Sequence, residues 1–128
     1  MTITYANAGH CPPLLYSAGE FHWLEPTCSV LGFFDQQFST RTVSFEKPAG
    51  LFFFTDGWYE WRGLDGGIFG LENFKALAER LVAGGGFSLQ QMLENLCGER
   101  AGPVFLDDVT GLWISMGSPM TKVLTAVS

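Results

Sequence analysis

Residues 50–61 read GLFFFTDGWYEW, and the reading of this stretch decides the fold. Leu51 to Phe54 are unbroken apolar, and the run ends at Thr55-Asp56-Gly57. A short apolar run closed by a turn signal predicts a buried strand, here Leu51 to Thr55. Asp-Gly is a common turn pair, since Gly accepts positive φ and Asp bonds its own backbone. Asp56 thus has two readings: a turn former, or a carboxylate held at a strand tip to do chemistry. Local patterning alone favours the turn.

On the N-terminal side, TITYAN (residues 2–7) alternates and predicts a strand beginning almost at the first residue. PPLLYSAGEFHWLE (12–25) predicts a hairpin, with Leu14–Tyr16 and Phe21–Leu24 joined by a turn at Ala18-Gly19-Glu20. CSVLGFF (28–34) reads as loop or brief strand, and FSTRTVSFE (38–46) alternates as a further strand, followed by a turn at Lys47-Pro48-Ala49-Gly50. Helical periodicity comes only afterwards. In GLENFKALAERLVAGGG (70–86), Leu71, Phe74, Leu77, Ala78 and Leu81 share one face and Gly84 to Gly86 end the helix. SLQQMLENLCGER (88–100) predicts a second helix, with Ser88 as N-cap and Leu89, Met92, Leu93 and Leu96 as its apolar face. DDVTGLWISM (107–116) supplies a last strand, Val109 to Met116. Residues 117–128 show no pattern and are expected to be a mobile tail.

Strands, then two helices, then a strand, without βαβ alternation, predict an α+β domain of antiparallel sheet packed with helices. At 128 residues with 47% apolar residues, the chain is one domain with a real core. The net charge is −6, and the basic residues Arg41, Lys47, Arg62, Lys75, Arg80, Arg100 and Lys122 are scattered, which argues against nucleic-acid binding. An acidic chain that handles an anionic substrate needs cations, and a metal is the simplest source. Cys11, Cys28 and Cys97, odd in number and without a CxxC pair, argue against a disulfide framework and a zinc site. The start MTITYANAGH lacks a signal-peptide n-region, and no apolar run reaches membrane-spanning length, so a cytoplasmic location with no membrane contact is the expectation.

Carboxylates at strand ends carry the strongest chemical signal. Asp56 follows one buried run, and Asp107-Asp108 precede another. If the two strands pair antiparallel, these residues meet at one rim, where hard divalent cations prefer such oxygen donors. Crowded like charges otherwise repel. NAGHCPP (7–13) is less generic: Gly9 permits a tight backbone and Pro12-Pro13 fix an extended exit, while Asn7 and His10 read as loop-stabilising. Cys11 reads as a small buried residue, and AGGGFS (83–88) lacks the lysine of a phosphate loop. Trp23, Trp58, Trp61 and Trp113 read as packing residues, with Trp58 and Trp61 near enough to Asp56 to line a site.

YANAGHCPPLLY, LFFFTDGWYE, FGLENF and DDVTGLWI, in this order, resemble the SpoIIE/RsbU-type branch of the metal-dependent (PPM) Ser/Thr protein phosphatases over about residues 2–116. The resemblance implies an antiparallel β-sandwich flanked by helices, with two Mg²⁺ or Mn²⁺ ions at one end. It implies hydrolysis of phosphoserine or phosphothreonine by a metal-activated water. Carried over by position, Asp56 and Asp107 are metal ligands and Asp108 a weaker or supporting one, while Asn7, Gly9, His10, Gly57 and Thr110 support the site. The implied substrate is a phosphorylated STAS-type anti-anti-sigma regulator. The family's Gly-Asp-x-Tyr-Asp and Gly-His-Gly motifs, which precede Asn-Ala-Gly-His, have no counterpart here. Residues 1–116 are therefore expected to be the C-terminal portion of such a domain, incomplete at the N-terminus and holding one ion or none. It should have little turnover alone and open sheet edges that favour homodimers or other association. The rival expectation is a non-catalytic interaction module derived from a phosphatase.

Overall fold

The computed structural model describes residues 1–32, 37–63, 65–84, 87–99, 107–117 and 124–125. The elements run β1 (Thr2–Tyr5), β2 (Leu14–Ser17), β3 (Glu20–Trp23), β4 (Arg41–Ser44), β5 (Ala49–Phe54), α1 (Gly70–Ala83), α2 (Leu89–Glu99), β6 (Gly111–Met116) and β7 (Leu124–Thr125). β1 and β4 pair as a two-stranded ribbon, and the others form a five-stranded sheet in the order β3-β2-β5-β6-β7. Every strand pair is antiparallel. The α+β class expected from the order of elements is the one found.

Alternation along β5 explains the layering, because successive side chains leave a strand on opposite faces. Phe52 and Phe54 enter a core with Leu14, Phe21 and Trp58 that also takes Phe74, Leu77 and Ala78 from α1 and Leu89, Met92 and Leu96 from α2. Leu51 turns the other way, to a second core of Leu15, Leu24, Phe45 and Ala49 that Ile3, Tyr5 and Val43 of the ribbon cover. The large sheet thus lies between the ribbon and the helices. Full burial of each large apolar side chain is worth about 1.5–3 kcal/mol, so the aromatic-rich helical side dominates. Its rings interlock: Phe52 lies 5.7 Å from Phe74 and 5.6 Å from Trp58, and Phe54 lies 4.6 Å from Phe74.

Both helices follow their apolar stripes. On the outer side of α1, Lys75 pairs with Glu79 at 3.1 Å. The Gly84 N–H closes the helix end by donating to Arg80 and Leu81 carbonyls, whereas Gly85 and Gly86, also expected to end it, lie outside the described residues. Ser88 stands at the start of α2, where its carbonyl accepts the Met92 N–H at 2.9 Å and its hydroxyl meets the Gln91 N–H only at 3.5 Å. The chain between β2 and β3 turns in two residues, Ala18 and Gly19, both at positive φ (52° and 90°). That combination is a type I′ turn, whose twist matches the flanking strands.

Several strand limits differ from the sequence reading. β5 begins at Ala49, two residues inside the expected turn, because Ala49 still pairs with Met116. β6 begins at Gly111, and Val109 is buried in the approach to it. β4 takes only Arg41–Ser44 of the alternating stretch, since β1 offers only four residues to pair with, and Phe38 stays exposed. Leu124–Thr125, in a segment without a sequence pattern, pairs with Leu112 and Trp113, and the neighbouring residues 118–123 and 126–128 lie outside the described ones. Phe33 and Phe34 of the stretch after Cys28 also lie outside them, while Cys28 itself forms a single bridge with Ala8. Among the described residues, no helix is long and apolar enough to cross a membrane.

Candidate metal centre

β5 and β6 run antiparallel in the register Phe54↔Gly111, so the end of one strand lies beside the start of the other. This brings Thr55-Asp56-Gly57 against Asp108-Val109-Thr110. The Thr55 N–H donates to the Thr110 carbonyl at 3.0 Å, and the Thr110 N–H donates to Thr55 Oγ1 at 3.0 Å. Thr55 Oγ1 donates in turn to the Asp108 carbonyl at 2.8 Å. Trp58 Nε1, from a fully buried ring, adds a 2.7 Å bond to the Thr110 carbonyl.

Asp56 opens a 3₁₀ turn over Asp56–Trp58, and its carbonyl accepts N–H bonds from Tyr59 (2.9 Å) and Glu60 (2.8 Å). Its side chain is half-buried at the rim. Asp107 and Asp108 are exposed, and Asp107 Oδ1 accepts the Asp108 N–H at 2.7 Å. Gly57 serves a different purpose from the one the turn reading suggests. Its backbone is not in the left-handed region, but a Cβ there would overlap the Asp108 carbonyl. Glycine is needed for close approach of the two rim segments, not for the bend.

The second loop lies beside this rim. Asn7 is buried, and its side-chain amide closes residues 7–10 from both ends: Nδ2 donates to the His10 carbonyl and Oδ1 accepts the His10 N–H, each at 3.0 Å. Gly9 has φ 97° and lies against Val30, so it permits both the turn and the contact. The His10 ring is exposed, with Nδ1 2.7 Å from the Cys11 carbonyl, which requires the proton on that nitrogen. Tyr59 joins the two regions: its hydroxyl donates to Cys11 Sγ at 3.4 Å. Burial pushes the Tyr59 phenol well above its ordinary pKa, and the bond to Cys11 and the charges of Cys11, Glu60 and Asp56 push the same way. Cys11 is half-buried, and none of the three cysteines is in a disulfide.

The arrangement thus brings Asp56 and the Asp107-Asp108 pair to one rim, with Gly57 and Thr110 at the contact. Asn7, Gly9 and His10 form a separate loop, linked to the rim through Tyr59 and Cys11. Among the described residues, no group of three or more His, Cys, Asp or Glu side chains is placed to hold a metal ion. The donors are carboxylate oxygens, the chemistry that Mg²⁺ and Mn²⁺ favour, so the rim fits a divalent ion as a contributor of part of its ligand set. Sequence reasoning missed Thr55 and Tyr59, whose roles come from partners about fifty residues away. The hydroxyl of Thr55, next to a strand-end Asp, was the one local hint.

The family described as Stage II sporulation protein E (SpoIIE) matches residues 1–117. No curated protein matches in sequence. Among solved structures, the chain is similar to the SiaA-PP2C domain of Pseudomonas aeruginosa, with 18% identity and a TM-score of 0.70 over 91% of this chain and 47% of that one. It is similar to the RsbU and RsbW domains of a Mycobacterium tuberculosis protein, with 29% identity and a TM-score of 0.69 over 88% of this chain and 31% of that one. The manganese-presoaked phosphatase domain of the cell fate determinant SpoIIE from Bacillus subtilis gives 15% identity and a TM-score of 0.56, over 95% of this chain and 58% of that one. The chain therefore spans between about a third and three-fifths of these structures. By its sequence match and its antiparallel α+β architecture, the chain belongs to the SpoIIE family and has the fold of PP2C-type phosphatase domains.

Proposed function

We propose that this chain is the part of a bacterial, cytoplasmic Mg²⁺- or Mn²⁺-dependent phosphoserine/phosphothreonine protein phosphatase that carries Asp56 and Asp107. The observation that carries this reading is the pairing of β5 with β6, which sets the Asp56 turn against the Asp107-Asp108 segment in a SpoIIE-family chain. Asp56 and Asp107 would hold the ion, with Asp108 beside them. When bound, the ion supplies Lewis-acid polarisation of the phosphoryl group and lowers the pKa of water. The chain's own residues orient and support. Thr110 and Gly57 keep the carboxylate segments adjacent, and Asn7, Gly9 and His10 shape the neighbouring loop. The substrate is a phosphorylated protein of STAS type, whose phosphate ester is cleaved to a free hydroxyl and inorganic phosphate.

Because the described residues form no group of three potential ligands, a full ligand set would take donors from outside them, water included. The same observation favours a second reading, a binding module without turnover. Exposed Val30, Leu31 and Phe38, and the open outer edges of β3 and the ribbon among the described strands, would then serve association, with a second copy included. One experiment separates the two. Manganese-dependent release of phosphate from a phosphoserine STAS protein is followed for this chain alone and together with the preceding segment of a SpoIIE relative. The phosphatase reading expects little release alone, clear release from the mixture, and loss of that release in Asp56→Asn. Complex formation with no release at any Mn²⁺ concentration would sink it.

A further inference from the structure

We infer that Thr55 is a positioning residue, and that its side-chain hydroxyl is the latch holding the two carboxylate-bearing segments of the rim in fixed relation. One oxygen does two jobs. It donates to the Asp108 carbonyl at 2.8 Å and accepts the Thr110 N–H at 3.0 Å, so it clamps the chain on either side of Val109. The register of β5 with β6 ends at Phe54↔Gly111, and beyond it, among the described residues, the Thr55 N–H donates to the Thr110 carbonyl. Asp107 and Asp108 lie beyond Thr110, on exposed chain where Asp107 Oδ1 accepts the Asp108 N–H at 2.7 Å.

Three features show that the contact is built. Val109 is buried, anchoring the segment between the two bonds. Trp58 Nε1 holds the Thr110 carbonyl at 2.7 Å from the same turn that carries Asp56. Gly57 has no Cβ where one would overlap the Asp108 carbonyl, so that carbonyl can come within reach of Thr55. The Asp56 turn and the Asp107-Asp108 segment thus meet through Thr55 as through a hinge pin. A site that needs carboxylates from both segments within a few tenths of an ångström depends on such a support. Serine would keep the latch. Valine, nearly the same shape, would remove it.

The metal part of the test rests on the reading of the rim as a cation site, and the metal-free part does not. Amide NMR spectra of the metal-free chain are compared for wild type, Thr55→Val and Thr55→Ser. The valine variant should broaden or double the amide signals of residues 107–110 and lower the exchange protection of the Thr110 N–H at least about tenfold. Signals of the β2–β3 hairpin and of α2 should stay in place, and serine should restore the wild-type spectrum. On titration with Mn²⁺, wild-type signals near Asp56 and Asp107 should broaden together, while in Thr55→Val the half-broadening concentration near Asp107 should rise roughly tenfold. Unchanged signals at 107–110 in the valine variant overturn the inference. So do changes spread evenly over the sheet with a lower Tm, which mean ordinary packing. If wild type shows no selective broadening near either aspartate, the cation reading falls, and the latch is judged by the metal-free spectra. Should the valine variant not fold, Thr55→Cys, a weak hydrogen-bonding group of smaller size, gives the same comparison.

Discussion

Two turns of this molecule begin alike in sequence and end differently in space. Ser17-Ala18-Gly19 and Thr55-Asp56-Gly57 both close an apolar strand with a small polar residue, a turn residue and glycine. At the hairpin, Gly19 has φ 90° and a Cβ there would meet nothing within 4 Å. Its glycine answers a torsional need in open solvent. At the rim, Gly57 has no such torsion, but a Cβ would overlap the Asp108 carbonyl, and the adjoining Thr55 bonds across 53 residues of chain. The glycine there answers a packing need created by a distant segment. The hairpin is a local structure, and the rim is a tertiary one.

Gly57→Ala should break the comparison hardest. The neighbour is backbone, which cannot swing aside as a flexible side chain would, so the Asp108–Thr110 segment must move. Overpacking of this kind costs about 1–3 kcal/mol, and a rigid backbone neighbour puts this variant near the upper end. Thermal melting checks it. A Tm within a degree of wild type would mean that the two segments are not in close contact.

Ala18→Asn sharpens the other side of the comparison. Ala18 holds φ 52°, a left-handed backbone that alanine adopts only at a cost, whereas Asn-Gly is the favoured pair for a type I′ turn. The substitution should raise stability by roughly 0.5–1 kcal/mol, visible as a higher denaturant midpoint with an unchanged slope. A gain at the hairpin and a loss at the rim would separate torsional from packing demands in one protein. A loss at both would dissolve the distinction.

The same division explains what was legible in the sequence. β5, both helices and the β2–β3 hairpin were readable because their signals are local: an apolar run, a stripe at helical spacing, and a turn at Ala18-Gly19-Glu20 that the structure shortens to Ala18-Gly19. The neighbourhood of Asp56 and Asp107-Asp108 was readable only through the assumption that strands 51–55 and 109–116 pair, and the pairing of β5 with β6 supports it. Pairing of β1 with β4 could not be read, since alternation marks each segment as a strand but does not say that Thr4 meets Thr42 across 38 residues. Gly57 was assigned to the bend because Asp-Gly announces a turn, and sequence cannot show the carbonyl that a Cβ would strike. Thr55 and Tyr59 escaped for the same reason: each is an ordinary residue until its partner arrives.

Tyr59 offers the smallest and most selective test, because it bonds the rim to the loop. Its hydroxyl donates to Cys11 Sγ, a weak bond, so Tyr59→Phe should cost only about 0.5–1 kcal/mol at neutral pH. The pH dependence says more. Burial raises the folded-state pKa above the ordinary 10.0, so the fold favours the neutral phenol. The stability this contributes is fully present below the unfolded pKa and is lost as pH rises through the folded value. Wild type should therefore lose Tm from about pH 10 upward more steeply than Tyr59→Phe, and the variant should lack the most alkaline part of the phenolate absorbance titration. Parallel Tm curves for the two proteins would show that the ring is solvated, and that the rim and the Asn7–Pro13 loop are not joined at this point.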